Sequence, residues 1–201
     1  SIQSLNDPRH TFLKIHGVGP QAATKLIKSG FTSIQDLRNC KDISNHLTNA
    51  QQIGLTYYED ILEPIPHHEI QKHEQLLQKI LQKIDPQSHL TIAGSYRRQK
   101  NFSGDIDVLI KSNQKDTFKK FIVLLKELDY LQDHLAIGRK KYNGICKLGK
   151  RGINRRIDIM NTSPDEYPFA ILYFTGSDEF NKLFRQKCLD KGFTINEYNL
   201  K

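Results

Sequence analysis

Apolar side chains recur at steps of three and four residues between Pro66 and Ile84, with Lys and Gln side chains around them. This spacing places them on one side of a helix, so we predict an amphipathic helix that ends at Asp85-Pro86. The apolar stripe consists of Ile70, His73, Leu76, Leu77, Ile80, Leu81 and Ile84. The rest of residues 1–85 has no run of alternating apolar and polar positions, and helices with short breaks are predicted there.

After His89 the pattern changes to short segments rich in β-branched and aromatic residues, which favour strands. The predicted strands are Leu90–Ala93, Asp105–Ile110, Leu131–Ile137, Tyr142–Leu148 and Arg156–Met160. Helical spacing returns in Lys115–Tyr130 and in Asp178–Lys191, and Gly192 stops the second helix. The order predicts a helical N-terminal domain followed by an α+β domain, with the boundary near 85–88.

Three aspartates fall on two of the predicted strands. Asp105 and Asp107 are two residues apart, so their side chains share a face of the sheet, and Asp158 is a single acid between apolar neighbours. Converging carboxylates repel one another unless cations neutralise them, and oxygen ligands suit Mg²⁺ or Mn²⁺. Two such ions can activate an attacking hydroxyl and stabilise a leaving pyrophosphate. In the alternative interpretation Asp105 lies in a turn and Asp158 pairs with Arg155 or Arg156.

The segment before these acids carries candidate phosphate ligands. A strand that ends at Gly94-Ser95 and turns into a helix exposes backbone N–H groups to an anion, and Ser and Arg side chains add donors. Phosphate donors are therefore predicted beside the metal ligands. A tight turn with solvated arginines is the alternative.

Composition narrows the range of partners. With 201 residues and 37% apolar content, the chain can build two hydrophobic cores. Its 30 basic and 22 acidic side chains give a net charge of +8, which favours a polyanionic partner. Cys40, Cys146 and Cys188 have no metal-binding spacing and are predicted to be buried, reduced thiols. No apolar stretch approaches the roughly 20 residues that cross a bilayer, and we expect no membrane role.

The motif Gly94-Ser95 with Arg97-Arg98, followed by Ser103-Gly104-Asp105 and Asp107, resembles the family X DNA polymerases of the polymerase beta type. Further blocks agree in order: His16–Pro20 with Ala22, Ala23 and Gly30, then Leu47–Tyr58, Ile65-Pro66, Tyr173–Asp178 through Arg185, and Lys191–Tyr198. The resemblance covers nearly the whole chain. It implies a helical DNA-binding domain with a helix–hairpin–helix (1–88), a nucleotidyltransferase palm with a mostly antiparallel sheet (89–165) and a nucleotide- and base-pair-binding subdomain (166–201).

The resemblance also implies roles for individual residues. Asp105, Asp107 and Asp158 would be catalytic and hold two divalent ions, Mg²⁺ or Mn²⁺. The implied nucleotide ligands are Ser95, Arg98, Ser103 and Gly104 at the triphosphate, Tyr173, Phe174 and Gly176 at the sugar, and Asp178 and Asn181 at the base. Implied DNA contacts are Gly17, Gly19, Arg156 and Arg185. Backbone carbonyls of Leu13, Ile15 and Val18 would hold Na⁺ or K⁺.

The implied activity is template-directed addition of deoxynucleotides to a primer 3′-hydroxyl, in short-gap filling during DNA repair. Expected partners are primer–template or gapped DNA and deoxynucleoside triphosphates. We expect a soluble intracellular monomer, in the nucleus or another DNA-containing compartment of a cell or a virus.

Three departures from the family pattern stand out. Nothing corresponds to the N-terminal lyase domain, the last subdomain looks truncated, and Met160 stands where polymerase beta has an arginine. A template-independent terminal nucleotidyltransferase and a non-catalytic DNA-binding fragment are the alternatives. Asn181 and Arg185 favour a templated base pair, and three intact aspartates argue against lost catalysis.

Overall fold

A computed structural model describes residues 7–194, and the chain divides into two compact units, Ser1–Glu63 and Pro64–Lys201. Residues 195–198 of the family-like block at Lys191–Tyr198 lie outside the described residues. None of the described helices is both long and apolar enough to cross a membrane. Cys40, Cys146 and Cys188 are free thiols, the last two buried and Cys40 half-buried.

The first unit is helical. Its helices are α1 (Pro8–Leu13), α2 (Pro20–Lys28), α3 (Ile34–Asn39), α4 (Asn49–Thr56) and α5 (Tyr58–Leu62), with a 3-10 turn at Ile43–Asn45. Asp7 and Ser33 cap α1 and α3, and Thr48 forms a capping box with Gln51 at the start of α4. A core of eight buried residues holds these short helices together: Phe12, Ile15, Val18, Ala23, Leu26, Leu37, Leu47 and Leu55.

The second unit is a mixed helix and sheet structure. Its elements are β1 (Ile65–Pro66), α6 (His67–Ile84), β2 (His89–Ile92), α7 (Gly94–Arg97), β3 (Phe102–Ser103), β4 (Ile106–Lys111), α8 (Thr117–Glu127), β5 (Leu131–Ile137), β6 (Lys141–Cys146), β7 (Arg155–Thr162), α9 (Tyr167–Thr175) and α10 (Asp178–Asp190). The main sheet has the order β2-β4-β7-β6-β5, in which β4 and β7 are parallel and the other neighbours antiparallel. The predicted α+β class and mostly antiparallel sheet are confirmed.

Helices cover the two faces of this sheet differently. Ile106, Val108 and Ile110 of β4 pack with residues of α6 and α8 in the main core. Leu109 of β4 and Met160 of β7 pack instead with residues of α9. Since alternate strand residues point to opposite faces, Asp107 and Asp158 lie on the α9 face, and α8 covers the opposite face.

The predicted domain boundary at 88/89 is wrong, because the division falls between Glu63 and Pro64. The apolar stripe of α6 packs on the sheet of the second unit, where Ile70 and Leu77 are fully buried. Periodicity identifies the apolar face of a helix but not the surface that covers it. The structure also adds α9 and the small β1–β3 sheet, in which Ile65 pairs with Ser103.

A buried polar cluster fixes the start of β7 against α6. Arg155 is only 2% exposed, and its Nε and Nη2 donate to the Glu69 carboxylate at 2.7 and 2.8 Å. His73 Nδ1 lies 2.7 Å from the Tyr130 hydroxyl, and burial lowers the pKa of His73 to about 4, so that its ring is neutral. Arg155 therefore pairs with Glu69, and the suggested pair of Arg155 with Asp158 does not form.

Candidate active site

The parallel pairing of β4 and β7 brings the three predicted acids together. Asp107 and Asp158 are direct partners in the register of these strands. Asp105 lies in the bend just before β4 rather than in the strand, so its predicted position is off by one residue. One carboxylate oxygen from each of the three acids lies within 4.8 Å of the others.

Burial and mutual repulsion make this cluster hard to ionise without a cation. Burial, followed by the charges of Asp105 and Asp158, raises the pKa of Asp107 to about 8. Burial also raises the pKa of Asp158, against the opposing effect of Arg156. The Oδ1 atom of Asp158 is buried and accepts no hydrogen bond from the described residues, although it lies 3.0 Å from Arg156 Nη2 in an ion pair. Three converging carboxylates that supply only oxygen ligands fit a hard divalent cation.

Arg156 lies beside the cluster and is 8% exposed. Its Nη2 donates to Asp158 Oδ2 at 3.0 Å, whereas its Nη1 is buried without a hydrogen-bond partner among the described residues. Both interpretations of the acids are therefore partly right. Asp105 does lie in a turn and Asp158 does pair with Arg156, yet the three carboxylates also converge.

The start of α7 is fitted closely to the acids. Gly94 has φ +64°, and a Cβ atom at this position would overlap Oδ2 of Asp107. The next residue, Ser95, donates from its hydroxyl to Ser103 Oγ at 2.7 Å. The backbone of the first turn of α7 thus lies against the carboxylates because Gly94 has no side chain.

A cleft of about 370 Å³ opens in front of Asp105 and Asp107. The predicted residues that line it are Ser95, Arg98, Tyr173, Phe174, Gly176, Asp178 and Asn181, together with Gly94 and Ser177. Arg98 Nη1 donates to the Thr175 carbonyl at 2.8 Å, which joins α7 to the end of α9. A cleft lined both by metal-type ligands and by a guanidinium is suited to a polyphosphate.

The remaining predicted ligands lie around this cleft rather than in its lining. Ser103 is buried behind Ser95, and Gly104 lies in the turn before Asp105. Arg185 Nη2 donates to the Tyr173 hydroxyl at 3.2 Å, so its guanidinium borders the cleft through Tyr173.

The sequence interpretation missed several residues of the site. Asn143 on β6 is the register partner of Asp158, and it lines a cavity of about 130 Å³ with Lys141, Asp107 and Met160. Gly94 and Ser177 belong to the family-like motifs, but the resemblance assigns them no role. The pairing of β6 with β7 places Asn143 here, and no local sequence signal indicates that pairing. Gly94 could have been found from its position between a strand and Ser95.

In the helical unit, the predicted turn joins α1 to α2. Gly17 has φ +86° and its carbonyl accepts a hydrogen bond from Gln51 Nε2 at 2.9 Å. Gly19 is the N-cap of α2 and offers no side chain to its first turn. Of the three predicted carbonyl ligands, that of Ile15 accepts the Val18 N–H at 3.0 Å, and Leu13 is the last residue of α1.

Family models match almost the whole chain. The model described as DNA polymerase beta palm matches residues 64–164, which is just over half of the chain. The fingers domain of DNA polymerase lambda matches residues 10–62, and the DNA polymerase beta thumb matches residues 170–201. The chain belongs to the family X DNA polymerases. The three aspartates lie in the palm match, and Tyr173, Asn181 and Arg185 lie in the thumb match.

Curated relatives agree with this family. DNA polymerase lambda of Arabidopsis thaliana is 33% identical over 203 residues, which cover 94% of this chain and 38% of the relative. DNA polymerase lambda of Rattus norvegicus is 33% identical over 199 residues, covering 94% and 34%. DNA nucleotidylexotransferase of Xenopus laevis is 27% identical over 243 residues, covering 99% and 48%. The chain thus spans between about a third and a half of the length of these family X relatives.

Proposed function

We propose that this family X chain is a template-directed DNA polymerase that adds deoxynucleotides to a primer 3′-hydroxyl, as in short-gap filling during repair. The observation that carries the proposal is the convergence of Asp105, Asp107 and Asp158 beside a cleft that Asp105, Asp107 and Arg98 line. Divalent cations, Mg²⁺ or Mn²⁺, bound by the three acids would activate the hydroxyl and stabilise the leaving pyrophosphate.

The residues around the cleft would hold the nucleotide. Arg98 and Ser95, which line the cleft, would bind the triphosphate, with Ser103 and Gly104 supporting that loop. Tyr173, Phe174 and Gly176 would line the sugar, and Asp178 and Asn181 would lie at the base. A Cβ atom at Gly176 would come within 2.6 Å of Asn181 Oδ1, and Asn181 Nδ2 donates to the Tyr173 carbonyl at 2.7 Å. This tight packing supports a close fit of backbone to sugar.

DNA would be bound mainly through its phosphates. The net charge of +8 favours this, and the Gly17–Gly19 turn before α2 supports a helix–hairpin–helix that approaches the backbone without reading bases. Carbonyls of Leu13, Ile15 and Val18 would hold Na⁺ or K⁺ at this turn. Arg156 would lie near the primer and Arg185 near the template. We further propose a monomer that works in a DNA-containing compartment, such as the nucleus.

Template-independent transfer is the second candidate, because one relative is a DNA nucleotidylexotransferase. Its alignment extends over 243 residues for a chain of 201, so this chain lacks segments that the relative has. The alignments with DNA polymerase lambda extend over 203 and 199 residues with 94% of this chain covered, and need far fewer such gaps. The lengths of the aligned segments therefore favour the templated activity.

Primer extension by the purified chain on a one-nucleotide gap tests the proposal. Each deoxynucleotide is offered singly with Mg²⁺, and an unpaired single strand is assayed in parallel. Incorporation of the complementary nucleotide alone supports a templated polymerase, whereas addition to the single strand favours the transferase. Absence of incorporation on DNA that is demonstrably bound contradicts both activities for this chain.

Arg98→Ala is expected to raise the KM for the incoming nucleotide by about 10- to 100-fold, because a charge-assisted bond to phosphate is lost. DNA affinity should change little. Arg97→Ala is the matched control, since Arg97 is exposed and is not among the residues that line the cleft. Steady-state kinetics on gapped DNA distinguish the two variants. An equal KM for Arg98→Ala and Arg97→Ala would contradict the proposed contact between Arg98 and the nucleotide.

Binding of a divalent ion is expected to release about one proton near pH 7, because a pKa of about 8 leaves Asp107 mostly protonated without metal. As the pH rises above 8 the carboxylate becomes ionised beforehand, so fewer protons are released and the apparent affinity for the ion increases. Calorimetric titration with Mn²⁺ in two buffers of different ionisation enthalpy measures the number released. Asp107→Asn should abolish the release, and a release that is unchanged in this variant would point to another group.

A further inference from the structure

A groove of about 810 Å³ lies beside α8, on the face of the sheet opposite the three acids. Loop 112–116, helix α8 and the turn between β5 and β6 form its walls. The residues that define this α8 groove are Lys115, Lys119, Val123, Lys126, Ile137 and Arg139. Nothing in the proposed polymerase chemistry uses this surface, since Asp107 and Asp158 face α9.

The base of the α8 groove is apolar. Phe118 and Ile122 are buried there, and their packing against the sheet leaves them little room to move. Val123 of α8 is 45% exposed, Ile137 of β5 is 57% exposed, and both line the groove. Two exposed aliphatic side chains that line one concave surface can help to bury an apolar side chain of another molecule.

The rim of the α8 groove is strongly basic. Among the described residues that line it, the cationic side chains are Lys115, Lys119, Lys126, Arg139 and Lys140, and the one carboxylate is that of Asp116. Glu166 lies 3.3 Å from the ammonium group of Lys140 and offsets that charge. The other cations leave a clear positive excess around the apolar base. The complementary occupant is therefore acidic at its edges and apolar at its centre.

A peptide fits these features better than a nucleic acid. Single-stranded nucleic acid binds by stacking its bases on exposed aromatic rings, but the aromatic ring at this base belongs to Phe118, which is 3% exposed. Phosphate contacts alone would gain nothing from the aliphatic side chains of Val123 and Ile137. An acidic peptide with one or two large apolar residues uses both the charge and the apolar surface.

We propose that the α8 groove binds a short acidic segment of a partner protein. Its large apolar side chains pack against Val123 and Ile137, and its flanking carboxylates meet Lys115, Lys119 and Arg139. Because α8 and the three acids lie on opposite faces of the sheet, the partner binds while DNA and nucleotide occupy the cleft. The groove thus recruits the polymerase without blocking it.

Selection of displayed random peptides against the full chain bound to gapped DNA tests this proposal. We expect the enriched peptides to carry several Asp or Glu residues next to Leu, Ile or Phe. Their affinity, measured by fluorescence anisotropy, should fall by at least about tenfold in Lys119→Glu and in Val123→Ser. Both side chains are exposed, so the variants should fold, and the gap-filling rate should stay unchanged.

Lys120→Glu and Leu128→Ser are the matched controls. Lys120 is the exposed neighbour of Lys119 on α8, and Leu128 is 55% exposed at the end of that helix, yet neither lines the groove. The proposal is overturned if no peptide with both acidic and apolar residues is enriched. It is overturned too if Lys119→Glu and Lys120→Glu bind the enriched peptides with equal affinity. It is also overturned if a labelled single-stranded oligonucleotide, and not a peptide, loses affinity in Lys119→Glu.

Discussion

Asp158→Ala is expected to lower the rate of nucleotide incorporation by at least about a thousandfold, because it removes a carboxylate that would hold the metal where charge develops. DNA affinity should remain nearly unchanged, since phosphate contacts elsewhere supply most of it. Single-turnover incorporation on gapped DNA measures the rate, and fluorescence anisotropy measures DNA binding.

Asp165→Ala is the matched control, because Asp165 is an exposed acid that follows β7 and takes no part in the cluster. Asp158→Asn is a second variant that keeps an acceptor for Arg156, so that the buried guanidinium retains a partner. Thermal unfolding of both variants shows whether the fold survives. Incorporation by Asp158→Asn at the rate of Asp165→Ala would contradict the proposed role of Asp158.

Gly94→Ala is expected to slow incorporation by about a hundredfold, because its Cβ would overlap Asp107 Oδ2 and displace that carboxylate. The positive φ of 64° adds a strain of about 1–2 kcal/mol, which lowers stability as well. Gly149→Ala separates the two effects. Gly149 has the same φ of 64°, but a Cβ atom there has no neighbour within 4 Å.

Both variants should therefore lose unfolding free energy, measured in urea, with the larger loss in Gly94→Ala because of the overlap, and only Gly94→Ala should lose activity. Its affinity for Mn²⁺, measured by calorimetry, should fall in parallel with the rate. Equal incorporation by Gly94→Ala and Gly149→Ala would show that the contact between α7 and Asp107 has no role in the chemistry.

Elements with strong periodicity could be located closely from the sequence. The predicted helix from Pro66 to Ile84 corresponds to α6 at His67–Ile84, and the predicted strand Leu131–Ile137 has the same bounds as β5. Helix α9 was not predicted, because apolar residues occur all around Tyr167–Thr175 and give no one-sided stripe. The short strands β1 and β3 also give no local sequence signal, since each has only two residues and forms only by pairing with the other.

The domain boundary shows a different limit of sequence reasoning. The apolar stripe of α6 was correctly identified, but α6 was assigned to the wrong unit. A stripe shows that a face is buried, and it is equally consistent with a helical neighbour or a sheet. In a similar way, the local sequence does not decide whether Asp158 pairs with Arg155 or with Arg156. Strand alternation places Arg156 on the face of Asp158 and turns Arg155 towards Glu69.

Local spacing and ordered motifs are enough to predict the fold class, the family and the three clustered acids, because they carry that information within short segments. The folded chain brings the acids together through the register of β4 and β7, and it surrounds them with residues such as Gly94 and Asn143. It also formed the α8 groove from segments that are distant in the chain. The physical reason is that register and helix placement are set by long-range packing, which leaves no periodic signal in any one segment.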